Sequence, residues 1–383
     1  MTISLNQFPD YFSTSEVFSR PLRAKINIAS FKQNIKNVEK HVGSSELIVV
    51  LKADAYGHGL VELAGVSAEY DLAVAIPEEL ITLRRAGIEN RVWVLEGCFS
   101  TKCLKYENVV WVIHSFWQLD LIKEAFLNGQ IQSLDICIKL DTGMHRLGFD
   151  RSDLFMVKQI INTIPQVNIY GLLTHFSMSD QHDNNHVNAQ ISRFDEMLKD
   201  QSWESIGQSL SNSGAICFHP QAHREWVRPG IMLYGASPSP NLKLPVSISA
   251  VMSFESAIIA LHKVKKGESV GYGKTWIAEV DSVIATVAVG YADGYPRHAP
   301  NGTPVAVISN VSEVCNIVCL VGRVSMDMIT IDVTGLQDVV IGDNIELWGK
   351  RISVDKIAEL SGTISYELLS GVSKRVPRIY INS

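Results

Sequence analysis

The chain has 383 residues, of which 46% are hydrophobic and 19% charged, and a formal charge of −6. That length supports one or two domains whose cores need no covalent staples, and the composition is that of an ordinary globular enzyme. The acidic balance argues against nucleic acid or an anionic membrane as the main partner, because both call for a basic surface.

In chain order, the opening MTISLNQFPDYFSTSEVFSRP has no basic n-region and no apolar h-region. No signal peptide is expected. No apolar run approaches ~18 residues, so no membrane span is expected and the compartment reads as cytoplasmic. Apolar, β-branched runs then occur at 47–52 (LIVVLK), 72–76, 91–96, 109–115, 134–141, 168–175 and 230–235 (GIMLYG), with a weaker candidate at 208–213 (QSLSNS). Segments with helical spacing separate most of them, at 61–70, 77–87, 116–129, 153–164 and 187–200. Near-continuous apolar strands are covered on both faces, and strand–helix alternation implies a parallel sheet. Eight strand candidates fit a closed (β/α)8 barrel of the TIM type over residues 29–246. The alternative, an open doubly wound sheet, usually carries GxGxxG after its first strand, and that motif is absent here.

Beyond residue 246 helical spacing nearly vanishes. Strand-like runs at 246–264, 282–290, 304–309, 314–322 and 328–335 are separated by turn signals such as KKGES, ADGYP, APNGTP and IGDN. This predicts a second, mostly β C-terminal domain over 247–383, with the N-terminal segment 1–28 packing on it. The six cysteines (Cys98, Cys103, Cys137, Cys217, Cys315 and Cys319) form no CxxC pair and read as reduced, mostly buried thiols. His182 with His186, and His219 with His223, have i, i+4 spacing, but neither pair sits in an HExxH context, so no metal site is expected.

Chemistry concentrates first in ELIVVLKADAYGHG, residues 46–59. A buried strand ends on Lys52 and passes at once into a turn. At the C-terminal end of a barrel strand, that amine is either a Schiff-base nucleophile for an aldehyde such as pyridoxal phosphate or a lysine snorkelling to water. A phosphate would need donors from the last strands. Ser213 in SNSG, the backbone N–H groups of Gly230 and Ile231, and Tyr56 from the first loop are candidates. SNSG taken alone also reads as a simple turn.

Eight motifs then occur in order: LKADAYGHG, KLDTGMHRLGF, GLLTHFS, SNSGA, WVRPGIMLYGASP, VGYGKTW, VGYADGYPR and VGRVSMDM. Together they resemble the fold-III, pyridoxal-phosphate-dependent alanine racemases over nearly the whole chain. The resemblance implies an internal aldimine on Lys52 and a phosphate contact from Tyr56. It sets His175 beside the pyridine ring, where a lone histidine would otherwise read as a satisfied core residue. It sets Arg228 opposite the ring nitrogen. A guanidinium has five donors and no acceptor, so that nitrogen would stay unprotonated and the ring would be a weak electron sink. It makes Tyr272 of GYGK the second base of a two-base mechanism, offered by a partner subunit, while Lys52 serves the other face of the substrate in the external aldimine. Without the resemblance, GYG is a tight turn. A homodimer with shared active sites follows. Arg146 and the backbone of Met326 would hold the substrate carboxylate. Lys139 would be open to carbamylation, and Asn212, Asp327 and Tyr291 would be supporting residues. Tyr291 and Tyr295 would narrow the entrance. Ordinary packing is the plainer reading of Met326 and Tyr291.

Two positions depart from the family pattern. Ser209 stands where some relatives have a histidine buttressing the pyridine-facing arginine, so support for Arg228 is expected from elsewhere. Lys374 precedes RVPR where some have a phosphate-contacting tyrosine, and Tyr366 lies too far upstream to replace it. The implied activity is interconversion of L- and D-alanine, for cell-wall peptidoglycan or for alanine catabolism. A broader racemase acting on serine or lysine, and a non-catalytic carrier of the cofactor, are the alternatives.

Overall fold

The computed structural model describes residues 20–181, 184–239 and 242–382. The pairing of His182 with His186 and most of segment 1–28 lie outside those residues. Contacts divide the chain into two units: residues 32–248, and residues 249–382 together with the described stretch before residue 32.

In the first unit, eight strands run Glu46–Val50, Asp71–Val74, Val92–Val94, Val109–Ile113, Leu134–Lys139, Val167–Leu173, Gln208–Ser209 and Trp226–Val227. Every neighbouring pair is parallel, and Glu46–Val50 also pairs with Trp226–Val227. A single parallel bridge between Asn212 and Arg228 joins the last two strands. The result is a nearly closed (β/α)8 barrel. The apolar runs form its staves because both strand faces are covered: all five residues of Val109–Ile113 are buried. The intervening helices carry ordinary end signals. Pro77–Arg85 has proline at its first position, Glu78 and Glu79 in its first turn, and Arg84 and Arg85 in its last.

One stave differs from the sequence reading. Ile231–Tyr234 within GIMLYG form a 3-10 turn rather than a strand, and the eighth stave is Trp226–Val227. A short, fully buried apolar run looks the same in either conformation. Pro229, just before the run, has no N–H to donate to a ladder there.

In the second unit, the strand Met252–Val264 pairs through its first half with Asn344–Trp348 and through its second with Ser282–Val287. The register shifts between Ile258 and Ala260, where it changes partner. Ile329–Asp332, Cys315–Leu320 and Pro304–Ile308 complete a closed antiparallel ring of six strands. Arg23–Asn27 adds to the first half of the long strand, and Arg378–Ile381 runs parallel to Arg23–Asn27. Two short helices, Val354–Leu360 and Ser365–Ser370, also occur here. Among the described residues, no helix is long and apolar enough to cross a membrane.

Candidate active site

Leu51 is buried at the end of the first stave, and Lys52 opens the turn Lys52–Gly57. Ala53, Asp54, Ala55 and Tyr56 all have φ between 52° and 55°. Left-handed backbone costs about 1–2 kcal/mol per residue for a side chain with Cβ. Four in succession persist only where surrounding contacts over-determine them. Ala55 N donates to Leu51 O at 2.7 Å, Gly59 N to Asp54 O at 3.0 Å, and Leu60 N to Asp54 Oδ1 at 2.9 Å. His58 Nδ1 donates to Tyr56 O at 2.9 Å. The turn lays Tyr56 on the ring of Tyr234 at 4.6 Å, and the Tyr234 hydroxyl donates to Val50 O at 2.7 Å.

Beside Lys52 the barrel gathers Lys139, Arg146, His175 and Arg228, with the Arg146 and Arg228 charges acting on Lys52, Lys139 and His175. Lys139 is the buried last residue of its stave. Arg146 is exposed on a loop folded by Asp141, whose Oδ1 accepts from the backbone N–H groups of Gly143, Met144 and His145. Burial, then Arg146 and Arg228, lower the Lys52 pKa, against an opposing pull from Glu79 and Glu96. Burial, then Arg228 and Arg146, bring Lys139 down to about 8.

Arg228 is buried and, among the described residues, hydrogen-bonds to no carboxylate. Burial lowers its pKa to about 10. Nη1 donates to Ser209 O and to Ser209 Oγ, each at 2.7 Å, and Nη2 donates to Thr174 O at 2.8 Å. The serine that departs from the family pattern is therefore itself a support for Arg228, through both its carbonyl and its hydroxyl. His175 has Arg228 Nη2 at 3.4 Å from Nδ1 and Asn212 Nδ2 at 3.4 Å from Nε2. The Asn212 amide is oriented by Ser179 Oγ and Ala215 N, which both donate to its Oδ1. With a donor facing each ring nitrogen, an imidazolium has no acceptor there. Burial, followed by Arg228 and Lys139, holds His175 well below its ordinary pKa.

The proposed phosphate donors converge as well. Gly230 N donates to Ser213 Oγ at 2.9 Å. A Cβ on Gly230 would lie 2.4 Å from the Tyr56 hydroxyl, so only glycine admits that approach. Asn212 caps the short helix Ser213–Phe218. Ile231 follows in the buried 3-10 turn.

The remaining candidates lie in the second unit. Tyr272 stands on a turn between the paired strands Ser269–Val270 and Trp276–Ile277, 71% exposed. Gly271 and Gly273, with φ of 73° and 72°, make that turn, and a Cβ on Gly273 would press on the Arg323 guanidinium at 3.1 Å. Tyr291 and Met326 are 40% and 54% exposed. Their loops are tied together: Tyr291 N donates to Ser325 O, and Ala292 N to Met326 O. Asp327 pairs with Arg375 at 2.5 Å. Tyr295 corrects the sequence reading. It is 1% exposed, in the core beside Trp348 at 6.2 Å with nearly parallel rings, and lines no entrance.

Sequence reasoning missed two carboxylates. Asp293 is fully buried and accepts from Arg20 at 2.7 Å, Arg375 at 2.6 Å and Gly290 N at 2.8 Å, holding the Tyr291 loop. Glu79 reaches the Lys52 turn. An acid after the proline of PEEL signals a helix start, and only that was legible. Among the thiols, Cys98, Cys103, Cys137 and Cys217 are buried, whereas Cys315 and Cys319 are exposed.

Residues 26–238 match the family model for the alanine racemase N-terminal domain, and residues 251–380 match that for the C-terminal domain. An alanine racemase of Hahella chejuensis is 38% identical, over 95% of this chain and 98% of that protein. A protein of Pseudomonas putida named a catabolic alanine racemase is 39% identical, over 94% and 99%. The crystal structure of a biosynthetic alanine racemase from Pseudomonas aeruginosa superposes with a TM-score of 0.86 at 39% identity, covering 94% of this chain and 99% of that one. The chain belongs to the alanine racemase family.

Proposed function

We propose that the protein is a pyridoxal 5′-phosphate-dependent alanine racemase that works as a homodimer with shared active sites. The reading rests above all on Arg228, a buried guanidinium supported by carbonyls and one hydroxyl, in the same cationic well as Lys52. The donor set fits the cofactor: an amine for its aldehyde, donors for its phosphate, and a donor-only group for its ring nitrogen.

When bound, pyridoxal phosphate acidifies the α-proton of an attached amino acid by drawing off the negative charge left behind. Lys52 would hold the cofactor covalently. Tyr56, Ser213 and the N–H groups of Gly230 and Ile231 would bind its phosphate. Arg228 would face the ring nitrogen, and His175 would lie beside the ring as a neutral imidazole. With substrate in place, the Lys52 amine would move the α-proton on one face, and its depressed pKa raises the share of neutral base. Tyr272 of the partner subunit moves it on the other. Arg146 and the backbone of Met326 hold the substrate carboxylate, while Asn212, Asp327 and Tyr291 support the surrounding loops. Lys139, with its pKa near 8, has an appreciable neutral fraction close to physiological pH and can add CO2 to become a carbamate, releasing a proton. In this reading the barrel unit binds the cofactor and the β unit serves the partner's site.

The test is borohydride trapping with added cofactor, followed by peptide mapping, together with D-alanine formation from L-alanine. Label on Lys52 and loss of chirality are expected, and Lys52→Ala should abolish both. An unlabelled Lys52 would overturn the proposal. A panel of the other amino acids measures the breadth of the activity.

A further inference from the structure

We propose that Glu79 is a positioning residue for Lys52: its carboxylate ties the first amide of the left-handed turn to the end of the second barrel stave. The inference rests on the reading of Lys52 as the cofactor lysine. Glu79 Oε1 accepts from Ala53 N at 2.6 Å. Oε2 accepts from Ala75 N at 2.8 Å and from Ile76 N at 3.4 Å, the two residues that follow the stave Asp71–Val74. Glu79 is the third residue of the helix Pro77–Arg85, so its backbone is fixed from below.

The position of these contacts in the chain gives them their meaning. The residue before Lys52 is held by Leu51 N donating to Ala73 O at 2.8 Å, and the residue after it by Ala53 N donating to Glu79. Lys52 is thus bracketed by two amides, both tied to the segment 73–79. Further along the turn, other hydrogen bonds engage Ala55, His58, Gly59 and Leu60. Without the Glu79 contact, the amide that directly follows Lys52 would lose its tie to the second stave, and the Lys52 backbone could relax toward ordinary conformations. An ionised carboxylate suits the task because it accepts on two oxygens from three donors. A glutamine has one acceptor oxygen, and its NH2 would face an N–H group.

The experiment compares Glu79→Ala, Glu79→Gln and Glu78→Gln in the full chain. The last removes the same charge from the same helix turn but touches nothing in the Lys52 loop. Hydrogen exchange of the peptide spanning 51–60 is followed in chain freed of cofactor. The rate at which added pyridoxal phosphate becomes attached to Lys52 is measured by borohydride quench. Losing a hydrogen bond to a charged acceptor should speed exchange in that peptide ~10-fold or more in Glu79→Ala. Glu79→Gln should be intermediate and Glu78→Gln unchanged, with attachment slowed in the same order. Equal effects of Glu78→Gln and Glu79→Gln, or wild-type exchange in Glu79→Ala, would overturn the inference. Should Glu79→Ala not fold, Glu79→Gln against Glu78→Gln decides alone. Failure to label wild-type Lys52 sinks the cofactor reading instead, and the exchange comparison still judges the clamp.

Discussion

In the barrel unit the candidate residues, Arg146 apart, are enclosed. Arg228 and Lys139 are buried, Lys52 and His175 are half-buried, and burial, helped by the Arg228 and Arg146 charges, lowers the pKa values of Lys52, Lys139 and His175. In the β unit Tyr272, Tyr291 and Met326 stand out from turns that are themselves stiffly held. The contrast separates two ways of building a site. Enclosure tunes reactivity at a cost to stability, because burying like charges disfavours the folded state. Exposure leaves the fold indifferent to the side chain, so any function there is read against a clean background.

Tyr272→Phe tests the exposed half and should have the largest effect. Removing one solvated hydroxyl should leave the unfolding free energy within about 0.5 kcal/mol of wild type. As a lost acid–base group, it should slow racemisation by ~10²–10⁴-fold. Solvent-deuterium wash-in should become asymmetric between L- and D-alanine. Unchanged turnover, or symmetric exchange, would remove Tyr272 from the mechanism.

Lys139→Met tests the enclosed half. Its pKa falls from 10.5 to about 8, so between those values the unfolded chain binds more protons than the native one. Wild-type stability therefore rises with pH across that window, and below it the buried ammonium carries its full penalty. The substitution should stabilise the chain by about 3 kcal/mol at neutral pH in CO2-free buffer. That gain should fade as pH climbs from 8 toward 10.5. Bicarbonate should shrink it too if Lys139 forms a carbamate. Denaturant midpoints measured against pH give the answer, and a destabilised Lys139→Met would contradict the assignment.

Asp293→Asn probes the stiffening beneath the exposed turns. Burial alone would raise the Asp293 pKa, but hydrogen bonds from Arg20, Arg375 and Gly290 N outweigh it and hold the carboxylate low. That stability is present above the ordinary carboxylate range and lost as pH falls through the native pKa. Because Arg20 and Arg375 remain partly hydrated, the substitution should cost about 1–3 kcal/mol. It should also erase the acid dependence and speed amide exchange in the Tyr291 loop. A flat comparison with wild type below pH 3.8 would show that the network contributes nothing.

The two halves were unequally legible in the sequence. The staves announce themselves through apolar runs that end in turn residues, because local pattern and tertiary role coincide there; Lys52, Ser213 and Gly230 stand out in the same turns as candidates, and their proposed roles come from the resemblance of the motifs around them. GIMLYG misled because burial on all sides erases periodicity. The left-handed course of Ala53–Tyr56 is invisible, since alanine, aspartate and tyrosine do not prefer it and distant groups such as Glu79 impose it. Asp293 and Tyr295 were obscured in the same way. Their neighbours come from residues 20, 375 and 348, and no local pattern records a contact that remote.

Ser209→Ala should have the smallest effect and ask the narrowest question: how many acceptors a buried guanidinium requires. The Ser209 hydroxyl accepts from Arg228 Nη1 at 2.7 Å and donates to Trp226 O at 2.9 Å, linking the last two staves. Alanine removes both contacts. It keeps the Ser209 carbonyl, which accepts from the same nitrogen at 2.7 Å, and leaves Nη2 on Thr174 O. The loss should be close to that of one ordinary hydrogen bond, about 0.5–1.5 kcal/mol, by denaturant midpoint. A loss well above about 3 kcal/mol would mean that the hydroxyl, not the carbonyls, carries the buried cation. No loss would mean that the backbone acceptors alone hold Arg228, and that this position tolerates any small side chain that leaves them in place.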